Sequence, residues 1–251
     1  MRISIITPTY NSSDFIEYAI RSVQAQDYQN VEHIIIDGGS TDATIDKIMR
    51  LGVDYFISEP DDGIYDALNK GLAASTGDIV GFLHADDFFS ADNVLSCIFN
   101  TFSSDKSISG VYGDLAYVTR NNPNKIIRYW KSESFNNNLL SRGWMPPHPT
   151  LYIRKNLYDK VGNFNINYKI SSDYDCILKL FTYDCHKYIY IPKLLVKMRL
   201  GGVSNKSIIS VIRKSKEDLR ILMYYNSNIL ICLKILFWKN FSKLKQFISS
   251  F

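Results

Sequence analysis

The sequence is poor in the features that mark several protein classes. Its four cysteines, Cys97, Cys176, Cys185 and Cys232, lie far apart in 251 residues and form no CxxC pair. This spacing argues against both a zinc ribbon and a disulfide framework and fits reduced thiols. No apolar run reaches the roughly 18 residues expected of a spanning helix. The nearest approach, ILICLKILFW at 229–238, is interrupted by Lys234. The N-terminal MRISIITPTYN enters a strand pattern at once, without the apolar segment and small-residue cleavage site of a signal peptide. A net charge of only +4, with no aromatic-basic signature, gives no case for nucleic acid as a partner. Internal repeats are absent. With 46% hydrophobic and 22% charged residues, the chain has the material for a full core.

What is present is a rhythm. Short β-rich runs, ISIIT (3–7), EHIIID (32–37), DYFIS (54–58) and DIVGFLH (78–84), alternate with helical patterns. Asp14-Phe15-Ile16-Glu17 has capping-box spacing, and Phe15, Ala19, Ser22 and Val23 follow on one face. Further helices are expected to start near Thr41, Gly63 and Ser90. The βαβα order predicts an α/β fold: a doubly wound, mostly parallel sheet with helices on both faces, binding ligands beyond the carboxyl ends of its strands. After about residue 110 the pattern is irregular, through VYGDLAYV, an Asn- and Ser-rich loop and GWMPPHPT (143–150). A helix is expected from Ser172, with strands at 188–191 and 194–198. Residues 206–251 read as a basic, helical appendage to a domain spanning 1–205.

Five segments carry the chemistry: TPTYN (7–11), IIIDGGSTDAT (34–44), EPDDGIYDALNKG (59–71), GDIVGFLHADD (77–87) and SSDYDCILKL (171–180). Alone, each is an ordinary turn or strand end. In this order and spacing, across roughly residues 1–205, the chain resembles the family 2 inverting glycosyltransferases of GT-A fold, in the variant of bacterial surface-polysaccharide enzymes. The resemblance implies a nucleotide-sugar donor, UDP-linked, and a lipid-linked glycan acceptor. It implies donor contacts at Pro8, Thr9, Tyr10 and Asp37, although Asp37 with Ser40 also suits an Asx turn; for Ser40 and Asp42, capping is the preferred reading. Asp62, Asp66 and Asn69 line the donor cleft or hold its loop.

Asp86 and Asp87 resemble the end of a DXD-like motif, in which a carboxylate holds Mg²⁺ or Mn²⁺ against the donor diphosphate. Strand alternation puts residues 84 and 86 on one side and 85 and 87 on the other. The metal therefore goes to Asp86, and Asp87 supports the loop or the sugar; two acids capping a helix before Ser90 are the structural alternative. His84 stands where an acid is common, as a second ligand or as a contact nearby. Asp173 matches the catalytic base, although an acid in a first helical turn also complements the dipole; Asp175 reads as structural. His148 and Arg199 fall where the family has a histidine and a cationic loop near the diphosphate, with RLGGVS (199–204) a possible flap. Packing and a solvated strand end are their alternatives. Trp144 is an acceptor platform or core. A sugar-phosphate nucleotidyltransferase is disfavoured because TPTYNSS is not a Gly-rich phosphate loop; a non-catalytic binding module is disfavoured by the joint presence of Asp86 and Asp173.

The tail from Ile229 to Phe251 contains no acidic residue. Phe237, Phe241, Leu244 and Ile248 recur at helical spacing, with Lys239 and Lys243 on another face. This predicts a helix lying on an anionic membrane surface, and a peripheral protein on the inner face of the bacterial cytoplasmic membrane. Packing on the domain is the alternative.

Overall fold

A computed structural model describes residues 1–183, 187–200 and 208–248. The first half runs β1 (Ile3–Thr9), α1 (Ile16–Gln24), β2 (Val31–Asp37), α2 (Thr44–Leu51), β3 (Tyr55–Ser58), α3 (Ile64–Ala74) and β4 (Ile79–Phe82). These strands pair in parallel in the order β3-β2-β1-β4. β1 and β4 are buried along their whole length, which is why both read as near-continuous apolar runs. The chain leaves β1 toward β2 and later returns to its other side at β4. The carboxyl ends of β1 and β4 therefore flank a crevice.

The second half adds β5 (Asp87–Phe89), α4 (Val94–Ser104), β6 (Ile108–Val118), β7 (Ile126–Trp130), α5 (Asn137–Leu140), a 3₁₀ turn at His148–Thr150, β8 (Tyr152–Arg154), α6 (Lys155–Val161), α7 (Ser172–Thr182) and β9 (Lys187–Arg199). The sheet continues β4-β8-β6-β9-β5, with β7 on β6. β8, β5 and β7 run antiparallel to their neighbours and β6 parallel to β9, so the sheet as a whole is mixed. The parallel character sits in the N-terminal half. Residues 87–89, expected to lead into a helix, instead pair with β9 as β5. The segments 188–191 and 194–198 are one strand, and its register on β6 shifts beside Pro192, which has no N–H to donate. The spacing at 14–17 makes no capping box: α1 has no side-chain cap, Asp14 pairs with Arg120, and Glu17 pairs with Arg21 and Arg50.

Each face of the sheet carries its own core. On one, Ile6, Ile34, Ile36 and Phe82 meet α3, α6 and α7; on the other, Ile3, Ile5 and Val111 meet α1 and α4. α3 lies close on β1 because Gly71 has no Cβ, which would come within 2.3 Å of Ile6.

The C-terminal helices α8 (Ile208–Tyr225) and α9 (Ile229–Ile248) are packed on α7 through Tyr174, Leu178, Ile221, Leu222, Cys232 and Ile235. Lys239 is buried among them, its Nζ 2.8 Å from Asp218 Oδ2 and 3.1 Å from the centre of the Tyr174 ring. The sequence reading of Lys239 as a head-group lysine is thus corrected: the ammonium faces inward. The side chains of Lys243, Leu244 and Ile248, and residues 201–204 of the expected flap, lie outside the described residues. Asp218→Ala deprives a buried ammonium of its carboxylate and is expected to cost about 3–5 kcal/mol. Asp218→Leu with Lys239→Met should recover most of this in urea unfolding; an unchanged midpoint in the single variant would show that the pair carries nothing.

Candidate active site

At the carboxyl ends of β1 and β2, two loops are stitched together. Asn11, at φ 45°, accepts at Oδ1 from Thr41 N–H (2.9 Å), and its own N–H donates to Ser40 Oγ (2.8 Å). Ser13 N–H donates to Asp42. Asp37 is fully buried, and its carboxylate accepts from Gly39 N–H (3.1 Å), Ser40 N–H (2.8 Å), Ser58 Oγ (2.7 Å) and Ser40 Oγ. These bonds, three of them to Oδ2, hold the turn, where Gly39 sits at φ 81°. The carboxylate against this turn is Asp61, whose Oδ2 would be 2.6 Å from a Cβ at Gly38. Thr9 Oγ1 is buried and unpartnered, Pro8 is buried, and Tyr10 stands 61% exposed at the rim.

Beyond β4 the extended backbone expected through residue 87 gives way to a turn at residues 85–86, where Asp87 N–H donates to the His84 carbonyl (3.0 Å), although exposure still alternates. His84 and Asp86 are half-buried, while Ala85 and Asp87 are buried. Burial pushes the Asp87 carboxyl well above the usual range, Asp86 adds to this, and Arg199 offsets part of it. Arg199 is only 3% exposed. Its Nη1 donates to the Asp86 carbonyl (3.0 Å), and its guanidinium lies over Tyr18, Phe88 and Phe15, 4.4, 4.8 and 5.1 Å from the ring centres. Arg199 thus acts as a clamp: it is caged by aromatic rings and holds the backbone that carries Asp86.

Asp173 occupies the first turn of α7, accepting at Oδ1 from Tyr174 N–H (2.9 Å) with Tyr65 OH 3.3 Å away. Burial acts to raise its pKa, but the charges of Lys214, His148 and Lys239 and the Tyr174 N–H outweigh it, leaving the carboxyl below its ordinary value. His148 is packed between Phe82 and Phe164, with ring centres 5.1 and 5.6 Å away, and 6.2 Å from His84. Burial lowers its pKa to about 4, against the pull of Asp173. Burial likewise lowers that of His84, against Asp86 and Asp173. His84, Asp86, His148 and Asp173 therefore share one neighbourhood, with two imidazoles held toward the neutral form near two carboxylates.

Other candidates serve the scaffold. Asn69 exchanges two 2.9 Å bonds with the Phe164 backbone, so it holds that loop. Asp62 lies in an exposed turn whose carbonyl accepts from Lys169 Nζ (3.1 Å) and whose N–H donates to Asp66. Asp175 pairs with Lys179, and Trp144 packs against Tyr112, Phe135 and Phe181. The sequence reading missed Tyr65, which stands inside a motif read for its acids, and the lysines of α8 and α9, counted there only as surface charge.

The sequence pattern of Glycosyl transferase family 2 matches residues 4–166, a span holding the β1, β2 and β4 loops described above. The chain belongs to this family. An uncharacterized glycosyltransferase of Mycobacterium tuberculosis is 30% identical over 187 residues, 70% of this chain and 68% of that protein. A PGL/p-HBAD biosynthesis glycosyltransferase of Mycobacterium bovis is 27% identical over 208 residues, 80% of this chain and 78% of that protein. Among solved structures, S. aureus TarS 1–349 in complex with UDP-GlcNAc has a TM-score of 0.69 at 18% identity, over 88% of this chain and 65% of that one. The mannosyltransferase PcManGT from Pyrobaculum calidifontis, in complex with GDP-Man and Mn²⁺, has a TM-score of 0.67 at 20% identity, over 99% and 73%. This chain spans 40% of the longer TarS chain. These likenesses establish the GT-A fold.

For a family 2 chain the donor set at Asp86 is sparse: among the described residues no three His, Cys, Asp or Glu side chains converge into a metal cage. One half-buried carboxylate, with a neutral imidazole two residues before it, fits a hard cation that takes its remaining oxygens from water and phosphate. It does not fit an all-protein site. Arg199→Lys should loosen the clamp on this segment, because a compact ammonium cannot lie flat on three rings and reach the Asp86 carbonyl. A loss of about 1–2 kcal/mol in urea unfolding is expected; an unchanged midpoint would overturn the cage.

Proposed function

We propose that the protein is an inverting glycosyltransferase that moves a sugar from a nucleotide-sugar, UDP-linked, to a hydroxyl of a lipid-linked glycan in bacterial surface-polysaccharide synthesis. The observation that carries this reading is Asp173: a half-buried carboxyl in the first turn of α7, accepting from the Tyr174 N–H and held on the ionised side chiefly by the charge of Lys214, with Lys239 adding to it. A base must be unprotonated before it meets its substrate. Asp173 takes the proton of the acceptor hydroxyl as that oxygen attacks the anomeric carbon and the bond to the nucleoside diphosphate breaks on the opposite face. Tyr65 and the Tyr174 N–H orient the carboxylate. Asp86, with His84 beside it, would hold Mg²⁺ or Mn²⁺, which when bound neutralises charge on the departing diphosphate. The UDP-GlcNAc complex of TarS supports a UDP donor, and the GDP-Man complex of PcManGT keeps GDP-sugars in the test.

The reading includes a peripheral position on an anionic membrane. No helix among the described residues is long and apolar enough to cross one. Leu230, Leu233, Phe237 and Trp238 of α9 are 72%, 46%, 63% and 42% exposed, in a tail free of acids. Aromatic and aliphatic side chains with scattered lysines suit the head-group boundary, where a lipid-linked acceptor would lie.

Nucleotide release from UDP-glucose, UDP-galactose, UDP-N-acetylglucosamine and GDP-mannose, with and without Mn²⁺, tests the activity; no release from any donor would favour a binding module. Asp173→Asn is expected to lower turnover by several orders of magnitude with donor affinity nearly intact, and wild-type turnover would sink the assignment. Asp86→Ala should abolish Mn²⁺-dependent UDP binding in calorimetry; unchanged affinity would refute the metal assignment. Leu233→Glu with Phe237→Glu alters only exposed positions and should abolish sedimentation with phosphatidylglycerol vesicles. Retained sedimentation would exclude this face as the anchor.

A further inference from the structure

We propose that Glu217, on α8, is a positioning residue for the transfer reaction, holding the start of the helix that carries Asp173. The inference rests on the reading of Asp173 as the base. Glu217 is 7% exposed, and its carboxylate is turned onto three consecutive backbone amides. Oε1 accepts from Lys169 N–H (3.1 Å), and Oε2 accepts from Ile170 N–H (2.9 Å) and Ser171 N–H (3.0 Å). Arg213 Nε is 3.6 Å from Oε1. Ser171 is the N-cap of α7 and makes no side-chain cap of its own. A carboxylate from another helix thus fastens the three residues that lead into the catalytic turn.

The same residues are gripped from the opposite side. Tyr65 OH donates to the Ile170 carbonyl (2.7 Å), and Lys169 Nζ donates to the Asp62 carbonyl (3.1 Å). Loop 169–171 is therefore pinned between the 62–65 segment and α8, and Asp173 follows two residues later. Charge-assisted bonds to backbone N–H groups are short and directional, so they fix a position as well as an energy. Glu217 and Asp218 are the only acids between residues 206 and 251. Both point inward: Asp218 fastens α9 through Lys239, and Glu217 fastens the approach to α7. Among the described residues neither hydrogen-bonds to Asp86 or His84, so loss of Glu217 should displace the base and leave the donor side in place.

The test uses the full chain and whichever of the four donors named above releases nucleotide fastest with Mn²⁺. Glu217→Ala is expected to lower kcat about 10²-fold, as for a base displaced by about an ångström, with the donor KM within about twofold. Glu217→Gln keeps one carbonyl oxygen for the Ile170 and Ser171 amides and should restore most of kcat. Hydrogen exchange at amides 169–171 should quicken in the alanine variant and stay near wild type in the glutamine variant. Wild-type kcat in Glu217→Ala, or a glutamine variant as slow as the alanine one, would overturn the proposal, the latter by showing that charge and not hydrogen bonding matters. If the alanine variant does not fold, the glutamine variant decides: quickened exchange with wild-type kcat overturns positioning, and protected amides with near-wild-type kcat support it. Asp173→Asn run in parallel separates the two ideas. An active Asp173→Asn removes the base reading, and this inference with it; an inactive one beside a fully active Glu217→Ala removes the inference alone.

Discussion

The structure depends on keeping a carboxylate ionised where the surroundings favour its protonation. Removing an anion from water is costly unless charges or N–H groups stand in for the lost hydration. At Asp173 they do: the charges of Lys214 on α8 and Lys239 on α9 act on it, and the Tyr174 N–H accompanies it in its own turn. At Asp87 they do not suffice, and burial with Asp86 beside it drives that carboxyl toward its neutral form. Two acids near one sheet edge thus take opposite protonation tendencies from their environments, the pattern by which active sites separate roles among like groups. Adjacent aspartates at 86 and 87 become tolerable because Asp87 is driven toward its neutral form, so the two need not be charged together.

This requirement makes the C-terminal helices part of the site. Lys214 and Lys239 act on Asp173 only while α8 and α9 remain docked, and α9 is docked through a buried ion pair and a cation over the ring of Tyr174, the residue after Asp173. Buried ion pairs are a weak source of net stability but a firm constraint on geometry, since either charge left alone is heavily penalised. The pair therefore specifies where α9 lies more than it adds to the free energy of folding. Residues 206–251, readable as an appendage, complete the electrostatics of α7.

What the sequence made legible follows from local physics. β1, β2 and β4 are visible because burial writes a near-continuous apolar run, and β3, which is half-exposed, because of its aromatic and β-branched Tyr55, Phe56 and Ile57; Gly, Asp and Ser mark the turns between them. The alternating exposure of His84, Asp86 and Asp87 matches the two-residue strand period, but the backbone that produces it is a turn at residues 85–86 and not a strand. The rest depends on partners distant in the chain. β5 is three residues long and exists only against β9. The roles of Arg199 and Asn69 are set by Phe15, Tyr18 and Phe164, which no spacing rule connects to them. Asp37 suits both of its readings in sequence, and its part in the turn is visible only in the four donors around it in space.

The tail shows the same limit and turns it into an argument. A helix on a water-facing surface should send its lysines out and its aromatics in. In α9 the stripe of Cys232, Ile235 and Lys239 faces the protein, while Leu230, Leu233, Phe237, Trp238 and Phe241 face outward. The buried lysine explains why periodicity misassigned that face, since its charge is answered by Asp218 inside the fold. The outward aromatics have no such answer within the described chain: Phe237 stacks on Phe241, and Trp238 meets both edge-on, forming a continuous apolar surface. Singly exposed apolar residues are common on soluble proteins, but a contiguous aromatic stripe on a helix whose inner face is already occupied is not. A surface of that kind is stable in an apolar setting, and the boundary of a bilayer is one such setting.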